Sequence, residues 1–335
     1  MKIAFIPPIN KSDYLANTVI DGILWQKKEG SDFEFKIPDY LYPCPYDLKL
    51  YKLAENEFAD FAQSADLVVL AWGKNATNYD LAGKINKWNK TIFIDGSELG
   101  KNNRFDANIA NAVKDLSYKG IGAIDQEMLS KCSLYFRREQ PYIQGILPLP
   151  FGIESRYVAH FNSRVKKDID FACVFGQEDY PILRKEAREY LELFCKKNGF
   201  SCFTKRTKGF NFDDNNKLAG RDQFYDVLAR SKVGISIGGG GFDTARFWET
   251  LGNNCILLTE KIGIYEAPSK ALDYKRIWQF KDIEEFKVQL AKLASYLQNE
   301  YNQEAMKEEY EKILAEHSTK ARVHTILDEV KKREL

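Results

Sequence analysis

Net charge is almost absent from this chain of 335 residues. Its 49 lysines and arginines stand against 48 aspartates and glutamates, a formal +1. A chain so balanced lacks the basic excess of a general nucleic-acid binder. Long apolar runs are missing too, and no stretch approaches the roughly 20 residues of a membrane-spanning helix. The opening MKIAFIPPIN meets two prolines before a signal-peptide core can form, so the expected location is cytoplasmic, with peripheral membrane contact left open. Histidine is scarce: only His160, His317 and His324 occur. None of the six cysteines stands in a C-x-x-C pair, which leaves no zinc spacing. Cys173 in FACVF and Cys255 in CILL sit inside strand-like runs, where reduced, buried thiols fit. No internal repeat or low-complexity segment interrupts the chain.

What is present is an alternation of strand and helix signals. KIAFIPP (2–8), FEFKIP (33–38), DLVVLAW (66–72), KTIFIDGSE (90–98), CSLYFRRE (132–139) and QGILPLPFGI (144–153) read as strands. Helical patterns at 13–30 and 51–65 fall between them. The segment 148–168, with its prolines and the charged run RVKKD, reads as a linker. The alternation then restarts with strands at 168–176, 200–205, 232–238 and 255–261, and helices at 180–199, 221–231 and 243–253. From Asp282 onward the chain is helical, charged and amphipathic. At this length two cores are expected. Such alternation gives parallel sheets with helices on both faces, and ligands bind beyond the carboxyl ends of the strands.

One turn at such an end stands out. SIGGGGFDTARFWETLG places Gly238, Gly239, Gly240 and Gly241 after an apolar strand and before a helix. Glycine permits positive φ and close backbone approach, and the first N–H groups of a helix carry partial positive charge. Phe242, Asp243 and Thr244 complete the turn, and a diphosphate fits its amides. Arg246 and Glu249 share a helix face three residues apart. An arginine neutralises phosphate, and a carboxylate accepts hydrogen bonds from sugar hydroxyls. Taken alone, the glycines equally suit a plain flexible turn, and the Arg–Glu pair a solvated surface pair. The run is neither a Walker A loop nor G-x-G-x-x-G.

The stretch LARSKVGISIGGGGFDTARFWETLGNNCILLTEK resembles the donor-site segment of group-1-type glycosyltransferases of the GT-B fold. The tail HSTKARVHTILDEV (317–330) resembles the helix that closes many such enzymes, and DIDFACVFG the opening of their second domain. The resemblance implies two Rossmann-like domains facing a cleft, with C-terminal helices packing back across the domains. The expected divisions are 1–160 for the acceptor side, 161–310 for the nucleotide-sugar donor side, and 311–335 as a helix returning to the first domain.

The activity implied is transfer of a sugar from a nucleotide-diphosphate donor to a glycan or protein acceptor, without metal or further cofactor and with no nucleic-acid partner. Glycan biosynthesis is the general setting implied, with no particular pathway. Gly176, Gln177, Lys205 and Arg206 join the turn and its helix as donor-binding residues. Retaining members often carry E-x7-E; Glu249 fits the second glutamate, but Gly241 stands where the first belongs. The remnant tilts the reading toward retention. An inverting reaction needs a base near the acceptor, for which Asp95, Glu98 and Asp125 are the candidates, though each more commonly serves as a turn or capping residue. Arg137 and Arg138 are acceptor-side candidates that equally suit a solvated charge run. The DID at 168–170 reads as structural rather than metal-binding. Competing readings are a nucleotide-sugar epimerase of the same fold, a two-domain small-ligand-binding protein, and a DNA-modifying sugar transferase, which the charge balance disfavours.

Overall fold

Apolar runs such as LVVLAW are continuous because their strands lie in parallel sheets covered on both faces. The computed structural model describes residues 1–72, 77–101, 104–139, 143–158, 165–175, 181–206, 224–261 and 272–333. They form two compact units. Unit 1 comprises Met1–Leu99, Asp106–Gly152 and Thr319–Leu335; unit 2 comprises Gly100–Phe105 and Ile153–Ser318.

Unit 1 is built on β1 (Lys2–Ile6), β2 (Glu34–Pro38), β3 (Lys52–Leu53), β4 (Leu67–Trp72) and β5 (Thr91–Asp95). The short hairpin β6 (Gly100–Lys101) and β7 (Arg104–Phe105) groups with unit 2, and β8 (Leu134–Arg137) and β9 (Ile146–Pro148) complete the first sheet. Its order is β3-β2-β1-β4-β5-β8-β9, parallel throughout, with Phe5 opposite Val69 and Leu70 opposite Phe93. Around it lie α1 (Tyr14–Lys28), α2 (Glu55–Ser64), α3 (Tyr79–Ile85), α4 (Ala107–Ala112) and α5 (Gln126–Lys131). Phe58, Ala62, Leu81 and Phe93 belong to the buried core on one face.

Unit 2 adds α6 (Ser155–Val158), β10 (Ile169–Phe175), α7 (Leu183–Asn198), β11 (Cys202–Arg206), β12 (Ser231–Ser236), α8 (Ala245–Gly252), β13 (Ile256–Glu260), β14 (Ile277–Phe280), α9 (Ile283–Asn299) and α10 (Lys307–His317). Residues 224–230 are also helical. The sheet order is β11-β10-β12-β13-β14, again all parallel. Helix α7 stops at Gly199, whose φ of 74° closes the last turn in the left-handed region.

The last helix, α11 (Thr319–Lys332), is part of unit 1 and packs along α1. The approach is close enough to require glycine. A Cβ on Gly22 would stand 2.3 Å from the Thr319 carbonyl oxygen. Thr319 Oγ1 donates to buried Asp21 Oδ2 at 2.6 Å, and Gln26 Nε2 to the Lys320 carbonyl at 3.1 Å. Arg322 Nε donates to the carbonyls of Pro150 and Phe151. His317, the last residue of α10, is buried between the rings of Trp248 and Tyr274.

Candidate functional site

In unit 2 the strand order reverses between β10 and β12, and the carboxyl ends at such a reversal are where open α/β sheets take their ligands. The connection after β10 starts at residue 176; Gly176 and Gln177 lie outside the described residues. The connection after β12 is the glycine turn, leading into α8. Lys205 and Arg206 close the edge strand β11, in register with Val174 and Phe175.

The turn uses its glycines differently from the expectation. Neither Gly238 nor Gly239 adopts a positive φ. Space is what they provide: a Cβ on Gly238 would lie 3.0 Å from Glu260 Oε2, and one on Gly239 would lie 2.8 Å from Arg184 Nη2. Two of the amides are already engaged. Gly238 N–H donates to Glu260 Oε2 and Gly239 N–H to the Gly241 carbonyl, each at 2.9 Å. Arg184 Nη2 donates to the Ile237 carbonyl at 3.0 Å, and its guanidinium sits 5.3 Å from the centre of the Phe175 ring. The sequence reading passed over Arg184. Its signal was a cation at the start of a helix, where the macrodipole disfavours one.

Thr244 is the N-cap of α8, but its side chain caps no N–H; its hydroxyl lies 3.1 Å from that of Ser236. Asp243 is buried and its Oδ1 accepts the Trp248 indole N–H at 2.7 Å. Phe242 and Gly240 are half-buried. Arg246 Nη1 donates to Glu249 Oε2 at 2.6 Å, and its guanidinium stacks 3.8 Å from the centre of the Phe224 ring. Tyr225 donates to Glu249 Oε1 at 3.2 Å. Glu249 is only 9% exposed, and the buried Nε of Arg246 has no hydrogen-bond partner among the described residues. The pair is therefore not the solvated surface couple left open by the sequence. The strand pair Asp168 and Asp170 is held by Arg230 and Lys232, each at 2.7 Å. Among the described residues no three His, Cys, Asp or Glu side chains gather as a metal would require.

In unit 1 the order reverses between β1 and β4. Asp95, offered by the sequence as a base, is instead a buried anchor. Its Oδ1 accepts the Ser97 amide at 2.8 Å and the Ser97 hydroxyl; its Oδ2 accepts the Tyr135 hydroxyl at 2.6 Å and lies 3.4 Å from Arg137 Nη1. Arg137 is fully buried and donates to the Gly122 carbonyl at 2.5 Å, which removes it from the solvated run expected. Arg138 is buried beside Glu98 (3.4 Å) and Glu139 (3.3 Å), stacked 4.8 Å from the Phe151 ring centre. Asp125 caps α5 and accepts from Tyr79.

A carboxylate missed by the sequence reading completes this end. Asp13 follows β1 and caps α1, its Oδ1 accepting the Ala16 amide at 2.7 Å. It packs against Gly96, where a Cβ would come within 2.6 Å of Asp13 Oδ2. Burial pushes its carboxyl up to about 6, against the pull of the Ala16 N–H and Arg138 and with the push of Asp95. A half-buried carboxyl that titrates near neutrality suits proton transfer.

Solved structures share this architecture across nearly the whole chain. An alpha-glucosyltransferase in complex with UDP aligns over 98% of this chain and 99% of its own, with a TM-score of 0.59 at 9% identity. A glycosyltransferase from Rickettsia africae ESF-5 aligns over 99% and 98%, with a TM-score of 0.58 at 10% identity. The fold is that of the GT-B glycosyltransferases. Residues 184–328 of this GT-B chain also match the family model described as glycosyl transferase-like. That segment contains the glycine turn and the Arg246–Glu249 pair. An alpha-glucosyltransferase bound to UDP and a 13-mer DNA aligns over 98% of both chains, with a TM-score of 0.61 at 8% identity. No curated protein matches the chain. No described helix is long and apolar enough to cross a membrane.

Proposed function

We propose that the chain transfers a sugar from a nucleoside-diphosphate sugar to an acceptor hydroxyl of a glycan or protein, in the cytoplasm, without a bound metal and with retention. One observation carries the reading. A stacked, largely buried Arg246–Glu249 pair lies in the first turns of a helix with no side-chain cap, beside the strand-order reversal. A departing diphosphate develops negative charge, and preorganised donors and cations are the main means of stabilising it. In this reading Arg246, Lys205, Arg206 and the amides from Gly240 to Thr244 supply that charge. Gly176 and Gln177 contribute from the neighbouring connection. Gly238 and Gly239, their N–H groups already bonded, shape the turn. Among the described residues each oxygen of Glu249 accepts one bond, which leaves a lone pair for the donor ribose.

Retention rests on Glu249 standing at the second position of E-x7-E; the departing phosphate then takes the acceptor proton. Inversion is favoured by a separate observation, the raised carboxyl of Asp13 at the carboxyl edge of the other sheet. UDP is the first nucleotide to test, because the similar structures hold it. Under this reading UDP raises the melting temperature in the presence of a chelator, since a ligand of the native state stabilises it. A melt indifferent to UDP and every other nucleoside diphosphate would end the donor assignment. Incubating donor sugars with and without glycan acceptors, and reading the anomeric proton of the product by NMR, separates retention from inversion. The same experiment separates transfer from epimerisation, which converts donor alone.

A further inference from the structure

A concavity lies at the amino end of the unit 2 sheet, opposite the edge that carries the glycine turn. It encloses about 1020 Å³ where the amino ends of β13 and β14 meet the end of α9 and the start of α10. Strand β13 has five residues, so about 16 Å of sheet separates this groove from the carboxyl edge that carries the glycine turn. Its wall is aromatic: the rings of Trp278 and Tyr296, both half-buried, have centres 6.1 Å apart and are tilted by 48°. Its floor is rigid. Arg276 is 1% exposed and donates to Glu309 at 3.0 Å, to Asn254 at 2.6 Å and to the Met306 carbonyl. Four basic and four acidic side chains line the groove, so their formal charges cancel. Lys292 and Glu308 stand exposed on the rim.

We infer that this groove binds an uncharged oligosaccharide. The cancelling charges give no net attraction for an extended polyanion. The charged rim and floor leave too much polar surface for a lipid chain, which returns none of the lost hydration. A neutral saccharide satisfies both kinds of lining. Its C–H faces lie against aromatic rings, and its hydroxyls bond charged donors and acceptors. The volume is at the upper end of ordinary ligand sites, enough for several sugar rings. The groove serves to hold a glycan away from the carboxyl edge, which suits an extended chain rather than a monosaccharide. Binding here does not depend on the donor assignment.

Neutral oligosaccharides of glucose and of N-acetylglucosamine serve as probes, with a sulfated oligosaccharide as the charged control. Saturation-transfer NMR and tryptophan fluorescence read binding. At least one neutral probe binds, and Trp278→Ala weakens it about tenfold or more. Ser295→Trp, which fills the groove from an exposed helix position, does the same while leaving the core untouched. Both variants keep the melting temperature response to UDP where the parent has one. The inference fails if no neutral probe binds up to about 10 mM. It fails equally if the sulfated control binds better, or if both variants bind a neutral probe as the parent does.

Discussion

Replacing Asp13 by asparagine tests whether the carboxylate that caps α1 is held at a cost to the fold. The ordinary aspartate value is 3.8, and burial raises it to about 6 in the native chain. The difference is about two pKa units, which at 1.36 kcal/mol each is about 3 kcal/mol. The sign follows from linkage. The folded value is raised, so the contribution of the neutral carboxyl is complete below about pH 4. It is lost as pH climbs through 6, above which the native state carries an ionised, half-buried group. Asparagine cannot ionise, and it keeps an oxygen for the Ala16 N–H. At pH 8 the variant is therefore more stable by about 1–3 kcal/mol, the lower figure allowing for solvent at the side chain. At pH 3.5 the two proteins melt together. Calorimetric melts of both from pH 3.5 to 8 read this directly. An asparagine protein that is less stable at pH 8, or shifted equally at both ends, refutes the argument. Activity on the same samples separates the mechanisms: a general base lost reduces kcat by about 10²–10⁴, whereas retention without a protein base leaves kcat within a few-fold.

Arg246→Ala removes the stacked guanidinium and weakens UDP binding by about tenfold to a hundredfold, the range for a charged hydrogen bond; unchanged affinity in titration calorimetry removes Arg246 from the donor site. Gly22→Ala forces a methyl against the Thr319 carbonyl, 2.3 Å from the ideal Cβ, and costs about 1–3 kcal/mol. A thermal melt altered by less than about 0.5 kcal/mol would mean that α1 and α11 separate freely. Asp168→Asn breaks only an exposed pair with Arg230 and moves stability by less than about 1 kcal/mol. Sensitivity of that variant's activity to added divalent metal would reopen the aspartate pair as a ligand site.

The strands were legible where both faces are buried, because then the whole segment is apolar. Leu67–Trp72 and Ile256–Glu260 stand within a residue or two of the expected runs. Strand β14 was not anticipated. It lies at the sheet edge with three of its four residues half-buried, so it carries neither an apolar run nor a clean alternation. Asp13 was hidden for another reason. A serine–aspartate pair before a helix is the ordinary signature of an N-cap, and the raised carboxyl arises mainly from burial, in part against Gly96, with a smaller push from Asp95, both more than 80 positions along the chain.

The glycine turn shows the same limit from the other side. A missing Cβ announces that something comes close or that φ is positive, and the sequence cannot distinguish the two. Here the decisive neighbours are Glu260, 22 residues later, and Arg184, more than 50 residues earlier. Glu260 fills one of the amides that an anion was expected to use. Under the proposed donor assignment a diphosphate is then held further along, at the start of α8, which has no side-chain cap and where the Arg246 Nε has no hydrogen-bond partner among the described residues. In that proposal the anion-binding centre sits at the helix rather than at the glycines before it, and Arg246 rather than Gly238 becomes the residue whose loss should be felt.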